Sequence, residues 1–369
     1  MNKENYRRLG DYIREVDVRN RDLEVKLSQG ISNEKYFQQP KQVAINPYND
    51  KIVRKGQFAF NRATTRNGDK ISIAYREEED CTVSASYCVF DIKNEDILSP
   101  KYLMMWFRRP EFDRYAIYHS HGSAHEYFTF ENMCEVELPI PSIEQQRKIV
   151  AEYETISRRI FLNEQMITRL EETAQTLYRK MFVDGIDKEN LPEGWRIRTL
   201  GDVAHILDYK RKPLSAEQRT LIKGRYPYFG AMSIIDYIDD YIFDGVYLLF
   251  AEDGVNVVDE NGHPNLQYVY GKFWLNNHAH IMQGNDIVST EYLYLALKES
   301  IVIHLVTGAA QPKINQENMS TIPIIVPPQI VMRQFNQKIC LIFNYKKLKE
   351  TENIELIRLQ SLLLAKMRQ

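Results

Sequence analysis

A heptad pattern in the middle of the chain constrains the fold more than any other feature. Across residues 143–181 apolar positions are spaced alternately four and three residues apart, which is typical of a helix packed lengthwise against another helix. At about 1.5 Å per residue this helix is a rod of roughly 60 Å, so it needs a partner of similar length. The seam residues are Ile149, Tyr153, Ile156, Ile160, Asn163, Ile167, Leu170, Ala174, Leu177 and Met181.

Residues 331–367 form the only other segment of comparable length, and we expect it to pair with the first rod in an antiparallel coiled coil. Asn163 interrupts the first seam, and the repeat described below makes Lys349 its equivalent. A polar residue in the seam can fix the register of two paired helices. The alternative is that Asn163 has no effect on the register. The residues predicted to face the first rod are Phe335, Ile339, Ile342, Leu356 and Leu363.

The regions before the two rods repeat each other at an offset of about 186 to 191 residues. A period this long indicates two duplicated globular units and not a solenoid of short repeats. The order is therefore globule, long helix, globule, long helix, with strands dominant in each globule. The matching segments are Leu9-Gly10-Asp11 with Leu200-Gly201-Asp202, residues 95–103 with 285–293, Glu131-Asn132-Met133 with Glu317-Asn318-Met319, and residues 138–141 with 325–328.

Composition is that of an ordinary globular protein, with 44% hydrophobic and 27% charged residues. The four cysteines form no C-x-x-C pair, which favours a reducing compartment. The polar start and the absence of a run of about 18 apolar residues predict a cytoplasmic protein without a membrane span. A net charge of −2 argues against nucleic acid without excluding it, because a basic footprint can be local.

Basic and amide side chains cluster in predicted loops of both units, where they could contact phosphate or read base edges. Solvated loops are the alternative. The equivalent loops at residues 122–125 and 308–313 could likewise approach DNA, or could merely position a strand. The DNA-binding candidates are Arg19, Asn20, Arg21, Arg62, Arg66, Asn67 and Lys70 in the first unit, and Tyr209, Lys210, Arg211, Lys212, Lys223, Arg225, Gln311 and Lys313 in the second.

Two groups of histidines have spacings like those of metal ligands, His119 with His121 and His125, and His278 with His280. No cysteine or second carboxylate accompanies either group in a recognisable pattern. We interpret them as loop or core histidines and predict no metal site.

The order of these motifs resembles the specificity subunit of type I restriction-modification enzymes, over nearly the whole chain. Further motifs that carry the resemblance are Leu191-Pro192-Glu193-Gly194-Trp195, Tyr226-Pro227-Tyr228-Phe229-Gly230-Ala231, the Gly-x-x-Gln-x-Lys-Ile sequence at residues 308–314, and Leu138-Pro139-Ile140-Pro141-Ser142-Ile143-Glu144-Gln145-Gln146-Arg147. The first unit lacks the Pro-Glu-Gly-Trp opening and has His125-Glu126-Tyr127 in place of Gln-x-Lys. A shared DNA contact at that loop is therefore in doubt.

The resemblance implies an α+β fold with a pseudo-two-fold internal repeat. It implies target-recognition domains at residues 1–142 and 183–328, and antiparallel spacer helices at residues 143–182 and 329–369. Each domain is expected to read one half of a split, asymmetric sequence in double-stranded DNA, and the helices would set the unread spacer. The chain would be non-catalytic and bind no cofactor. Two methyltransferase subunits would use S-adenosylmethionine, and two restriction or translocase subunits would use ATP and Mg²⁺.

Two other classes of function compete with this interpretation. A protein-interaction scaffold built on the paired helices is favoured by the near-neutral charge and the many tyrosines. A self-sufficient nuclease or methyltransferase is disfavoured because the sequence has no G-x-x-x-x-G-K-[ST] phosphate loop and no glycine-rich cofactor loop after a strand.

Overall fold

A computed structural model describes residues 6–40, 47–64, 69–120, 127–254, 257–308 and 312–367. The chain forms two compact units, Met1–Asn163 with Glu352–Gln369, and Glu164–Thr351. Each unit contains a mixed α/β region and a part of each long helix. Within the described residues, no helix combines the length and the apolar character that a membrane span requires.

The elements of the first unit in chain order are β1 (Tyr6–Arg8), β2 (Ile13–Val16), β3 (Gly30–Ile31), β4 (Phe37–Gln38), β5 (Lys51–Val53), β6 (Phe58–Asn61), β7 (Ile73–Tyr75), β8 (Cys81–Val83), β9 (Tyr87–Ile92), α1 (Pro100–Phe107), α2 (Pro110–Tyr118), α3 (Phe130–Cys134), β10 (Glu137–Pro139) and α4 (Ile143–Phe182). The unit is built around a four-stranded antiparallel sheet with the order β2-β9-β6-β7, and the remaining strands pair as β1-β10, β3-β4 and β5-β8.

Alternation of side chains along the strands places one face of this sheet in the core. Phe58 and Phe60 lie two residues apart on β6 and are both fully buried. Phe58 stacks on Phe90 of β9 with ring centroids 4.9 Å apart, and Phe107 of α1 meets both rings edge to face. The aromatic face thus joins the sheet to the helical layer of the unit.

The elements of the second unit in chain order are β11 (Arg196–Thr199), α5 (Leu200–Val203), β12 (Ala204–Ile206), α6 (Ala216–Leu221), β13 (Lys223–Phe229), β14 (Ile234–Ile238), β15 (Phe243–Ala251), β16 (Leu266–Leu275), β17 (Ala279–Gly284), α7 (Thr290–Lys298), α8 (Gln316–Ser320), β18 (Pro323–Val326) and α9 (Gln329–Lys366). The unit contains a larger, mixed sheet with the order β12-β17-β15-β16-β13-β14, in which β13 runs parallel to β16. A separate antiparallel pair joins β11 to β18.

The long helices α4 and α9 run antiparallel in each unit. In the first unit Ser157 bonds to Gln360 and Asn163 to Asn353, so partners descend along α9 as they ascend along α4. In the second unit Glu171 pairs with Lys346, and Phe182 packs on Phe335. The predicted fold, two mixed α/β regions and two long antiparallel helices in an internal repeat, is confirmed. The domain boundaries given above remain a proposal.

The buried seam of α9 keeps the heptad spacing but is polar in its central part. Asn163 Nδ2 donates to Asn353 Oδ1 at 2.9 Å, and both side chains are buried. The hydrogen-bonding partner of Asn163 is thus Asn353, four residues beyond the equivalent position Lys349. On α4, Tyr153, Asn163 and Ala174 are buried. The α9 residues on the seam are Met332, Phe335, Ile339, Ile342, Lys346, Lys349, Asn353, Leu356, Gln360, Leu363 and Met367, and the α4 seam residues Ile149, Ile156, Ile160, Ile167, Leu170 and Leu177 are half-buried.

A common set of contacts explains the repeated motifs. The Leu9 N–H donates to the Val136 carbonyl and the Leu200 N–H to the Ile322 carbonyl, each at 2.8 Å. The glycine that follows each leucine lies against the end of a short helix. A Cβ at Gly10 would lie 2.7 Å from Cβ of Cys134, so this close approach requires glycine.

Candidate nucleic-acid interface

The repeated Glu-Asn-Met motif ties down the loop that precedes it in both units. Asn132 Nδ2 donates to the His119 carbonyl at 2.9 Å, and Asn318 Nδ2 donates to the Leu305 carbonyl at 3.2 Å. Met133 and Met319 beside them are fully buried and anchor the two short helices in the cores. His119 and Leu305 are therefore held by the same kind of hydrogen bond, and of the candidate segments that follow them residues 121–126 and 309–311 lie outside the described part of the chain.

In the first unit, Arg19, Arg62 and Lys70 have different partners. Arg19 pairs with Asp17 at 2.9 Å and donates to the Asn49 carbonyl at 2.8 Å. Arg62 is exposed and donates through Nε to the Ser86 carbonyl at 2.9 Å. Lys70 pairs with Glu34 at 2.7 Å, and this hydrogen bond raises the pKa of Lys70. Arg66 and Asn67, between Arg62 and Lys70, lie outside the described residues.

Asn20 and Arg21, although adjacent, are placed differently. Asn20 is 3% exposed, and its amide donates to the Val25 carbonyl and accepts from the Val25 N–H. It shapes the loop and does not project from it, which conflicts with a role in reading bases. Arg21 is exposed.

In the second unit, the loop after β12 presents exposed basic and aromatic side chains. Tyr209 is 77% exposed, and the Lys210 ammonium lies 5.8 Å from the centre of its ring. Lys212 is exposed, while its carbonyl accepts a hydrogen bond from Trp274 Nε1 at 2.6 Å. The indole fixes the backbone from which these side chains extend.

A second surface in this unit alternates cations and aromatic rings. Arg225 donates to the Tyr226 hydroxyl at 2.8 Å, and the Tyr226 ring lies 5.0 Å from that of Tyr241. The Lys272 ammonium lies 4.5 Å from the Tyr241 ring centre. Cations interleaved with aromatic rings are typical of nucleic-acid surfaces. Sequence analysis missed Tyr241 and Lys272 because they join Tyr226 only through the fold.

Lys223 differs from its neighbour Arg225 because it is engaged with an acidic group. Its ammonium and the Arg219 guanidinium both contact the Asp236 carboxylate on β14. The hydrogen bond from Lys223 is the main cause of a lowered pKa for Asp236. Lys223 is exposed and remains a candidate for a phosphate contact.

Arg211 lies inside a largely buried ionic network. Its guanidinium pairs with Glu252 at 2.6 Å and with Asp208 at 3.3 Å. Lys313, which is half-exposed, pairs with the other oxygen of Glu252 at 2.8 Å. Although burial alone would raise the pKa of Glu252, hydrogen bonds from Lys313 and Arg211 lower it. Gln311, also proposed for this loop, lies outside the described residues.

His280 joins the same network. Its ligand atoms and those of Asp208 and Glu252 lie within 4.8 Å of one another, a separation that a metal ion could bridge. Sequence analysis found no carboxylate for His280, because both carboxylates come from distant segments. Arg211 and Lys313 already neutralise these carboxylates, so the donor set does not fit a metal, and we interpret it as an ion-pair network.

The other candidate metal ligands have protein partners or lie outside the description. His278 pairs with Asp253 at 3.0 Å. The His119 ring packs on Tyr115 with centroids 4.0 Å apart, and its Nδ1 lies 2.9 Å from the Tyr115 carbonyl. His121 and His125 fall within the undescribed loop.

Comparison with known proteins identifies the family. The family of type I restriction modification DNA specificity domains matches residues 3–172 and 192–356. A candidate type I restriction enzyme specificity subunit of Haemophilus influenzae is 33% identical over 148 residues, which cover 40% of this chain and 37% of that protein. The match thus spans little more than a third of that relative.

Two further proteins are similar over most of their length. The HindI specificity subunit of Haemophilus influenzae is 21% identical over 410 residues, covering 86% of each chain. The crystal structure of a type I restriction-modification S subunit from M. genitalium aligns with a TM-score of 0.59 and 15% identity, over 99% of this chain and 96% of that one. This likeness shows the fold, and the two matches to the domain family cover most of the sequence. The resemblance inferred from the sequence is confirmed, and the chain belongs to the type I restriction-modification DNA specificity family.

Proposed function

We propose that this chain recognises a two-part, asymmetric DNA sequence, one part with each unit, and docks the modification subunits of a type I complex. The observation that carries the proposal is that one repeated framework holds two unlike sheets. The framework contacts are the same in both units, from the Leu9 and Leu200 amides to the Asn132 and Asn318 side chains. Unlike surfaces on like frameworks suit the reading of two unlike half-sites.

The two candidate surfaces also differ in their chemistry. The first unit offers cations from separate loops, of which Arg21 and Arg62 are exposed, Arg62 just after β6. The second unit offers the Arg225, Tyr226, Tyr241 and Lys272 surface, where rings can stack on bases or cover the backbone. Cations held against phosphates make affinity fall steeply with salt concentration. A net charge of −2 is compatible with this binding, because phosphate contacts depend on the cations at the interface and not on the sum over the whole chain.

The long helices supply a docking surface on their outward faces. Leu341, Leu348 and Ile354 of α9 are 71%, 58% and 64% exposed, whereas Lys346 and Asn353 between them point into the seam and are buried. Phe161 of α4 is 55% exposed. Helices with polar groups inside and large apolar side chains outside are incompletely covered by their own chain. We assign these faces to helices of two methyltransferase subunits, with restriction or translocase subunits completing a restriction enzyme; S-adenosylmethionine, ATP and Mg²⁺ belong to those partners.

Substitution in each unit tests the two-part reading. Arg62→Ala should weaken binding through the first half-site and Arg225→Ala through the second, each by about 1–3 kcal/mol. Binding is measured for the complex with its modification subunits on duplexes in which one half at a time is scrambled. Arg158→Ala, which removes an exposed arginine of α4, is the matched control. The assignment would be contradicted if either substitution weakened binding to both half-sites, or if neither substitution weakened binding to any half-site.

The docking surface is tested by introducing a negative charge in place of its exposed leucines. Leu341→Glu and Leu348→Glu should prevent co-purification of the modification subunits without lowering the melting temperature of the chain, because both side chains are solvent-exposed. Gln337→Glu, on the same helix, is the control. Retention of the partners by both leucine variants would place the docking surface elsewhere. If the wild-type complex forms but retains no DNA, the scaffold function is favoured instead.

A further inference from the structure

We propose that Tyr268 and Tyr270 are positioning residues that fix the sheet of the second unit on helix α9 and so select the spacing between the two half-sites. The inference rests on the proposed reading of a two-part DNA sequence. The length of a helix alone does not determine the angle at which a sheet is held on it. A fixed spacing therefore needs a contact that fixes this angle.

Both tyrosines lie on the face of the sheet that packs on α9. They are two residues apart on β16, so their side chains share one face, while Val269 between them joins an apolar cluster on the other. Phe343 of α9 is buried, and its ring centroid lies 4.7 Å from that of Tyr268. The tyrosine face of the strand is thus in direct contact with the helix.

Each tyrosine hydroxyl donates to a carboxylate on a helix. Tyr270 donates to Glu350 of α9 at 2.9 Å, and Tyr268 donates to Glu291 of α7 at 2.6 Å. Burial, together with these carboxylates, raises the pKa of both tyrosines, so each hydroxyl keeps its proton and remains a donor. Hydrogen bonds to a charged acceptor are stronger than those between neutral groups. Strand β16 is therefore joined to two helices by directional bonds.

Two lysines of α9 lie against the same rings. The Lys347 ammonium lies 5.3 Å from the ring centre of Tyr268 and 5.5 Å from that of Tyr270. The Lys346 ammonium lies 5.5 Å from the Tyr268 ring centre and pairs with Glu171 of α4 at 2.6 Å. A cation within about 6 Å of a ring centre is attracted to it. The tyrosine contact, defined as these bonds and ring contacts of Tyr268 and Tyr270, thus involves both long helices.

The strand that carries the tyrosines also carries part of the candidate DNA surface. Lys272, whose ammonium lies against the Tyr241 ring, is two residues beyond Tyr270 on β16. Tyr270 pairs with Val246 of β15 and Lys272 with Asp244 in one continuous antiparallel register. Because one ladder holds both residues, a shift of Tyr270 on α9 would move the Lys272 surface with it.

The first unit is attached at the equivalent position by a weaker kind of contact. Lys101, which the repeat makes equivalent to Glu291, pairs with Glu154 of α4 and with Glu77 at 3.3 Å. All three side chains are about half exposed. Ion pairs exposed to solvent contribute little to stability. We therefore expect the spacing to depend on the tyrosine contact of the second unit.

The test is binding to three duplexes that hold both half-sites and differ only in their gap. The gaps are the one recovered by selection, one base pair fewer and one base pair more. A wrongly spaced duplex engages both units only if the sheet shifts on α9, which the tyrosine contact opposes. In the variant Tyr268→Leu/Tyr270→Leu, the preference for the selected gap should fall about tenfold, the factor that corresponds to one charged hydrogen bond. Tyr237→Leu, at a half-exposed tyrosine of the same unit, is the matched control and should keep the wild-type preference.

The measurements use the full chain in complex with its modification subunits. A variant that is only less stable would bind all three duplexes less without changing the preference, and this result for the double variant would overturn the inference. If the double variant does not fold, Tyr268→Phe/Tyr270→Phe, which keeps the rings, replaces it. Its preference should also fall, and an unchanged preference would contradict the proposal. A wild-type complex that prefers no sequence would instead refute the proposed function itself.

Discussion

Tyr102 in the first unit donates its hydroxyl proton to the Pro139 carbonyl at 3.1 Å, and Tyr292 in the second donates to the Ile325 carbonyl at 2.6 Å. Each bond ties the helix that follows the sheet to the strand just before a long helix. Beyond this shared frame the units diverge, since a four-stranded antiparallel sheet in one corresponds to a six-stranded mixed sheet in the other. The two units thus share the contacts next to the long helices, whereas their sheets differ in strand number and direction.

The buried charged groups beneath the candidate loops also differ between the two units. In the first unit Lys35 is 5% exposed and pairs with Asp113 at 2.7 Å, and the same carboxylate oxygen accepts from the Ile71 N–H beside Lys70. Burial lowers the pKa of Lys35, while Asp113 opposes this shift. The second unit uses the His280 network for the comparable task. Both units support their loops with buried ionic groups, but the residues are unrelated.

The largest expected effect is a loss of stability from a substitution in the aromatic core of the second unit. Phe182 is fully buried among Tyr178, Trp195, Tyr292 and Phe335. Phe182→Ala should lower the free energy of unfolding by about 3–5 kcal/mol, because it leaves a cavity. Phe161→Ala, on the same helix but largely exposed, should change it little. The two are compared by chemical denaturation, and equal effects would contradict the packing described.

A smaller effect tests the ionic network of the second unit. Glu252→Gln should cost about 1.5–3 kcal/mol at neutral pH, since it weakens charge-assisted bonds to Arg211 and Lys313. The pKa of Glu252 lies below its usual value of 4.5 in the folded chain, so the stabilisation is complete above that pH and is lost as pH falls through the folded value. Thermal melting from pH 7 to 3 should show the variant and wild type converging in acid. A constant difference would contradict this account.

The buried amide pair of the first unit should give an effect of about 1–3 kcal/mol. Asn163→Leu leaves the Asn353 amide buried without its partner, so stability should fall. Replacing both asparagines by leucine should restore or raise stability, at the expense of a unique register. Urea titrations measure the first effect. If the double variant is less stable than either single variant, Asn163 and Asn353 do not form a pair that fixes the register at a cost in stability.

The smallest expected effect comes from removing the equivalent tyrosine hydroxyl group in each unit. Tyr102→Phe and Tyr292→Phe each remove one buried hydroxyl bond to a carbonyl and should each cost about 1 kcal/mol. Similar values measured by denaturation would support equivalent roles in the two units. If only one of the two substitutions lowered the free energy of unfolding, the equivalent hydrogen bonds would not contribute equally to stability in the two units.

The long helices and the repeat could be predicted because their signals are local and periodic. The apolar spacing on α4 and the motifs around Leu9 and Leu200 can be read without knowing what they contact. The α9 seam was harder, because Lys346, Asn353 and Gln360 occupy it and a polar seam has no apolar signature. The apolar side chains of α9 are instead partly on its exposed faces.

The site could be predicted only in part, for a related reason. A basic residue in a loop looks the same in sequence whether it is exposed like Lys210 or committed to carboxylates like Arg211. Asn20 likewise gave no sign that Val25 would take up its amide. The partners of His280 come from three separate segments, so only the fold brings them together.

The central claim is best tested by selection from random DNA duplexes, with the full chain co-purified with its methyltransferase subunits as bait. Two unlike sheets on a repeated frame predict recovery of two different short sequences separated by a constant gap. Recovery of a folded complex with no preferred sequence, or with a single uninterrupted one, would contradict the claim that each unit reads its own half-site.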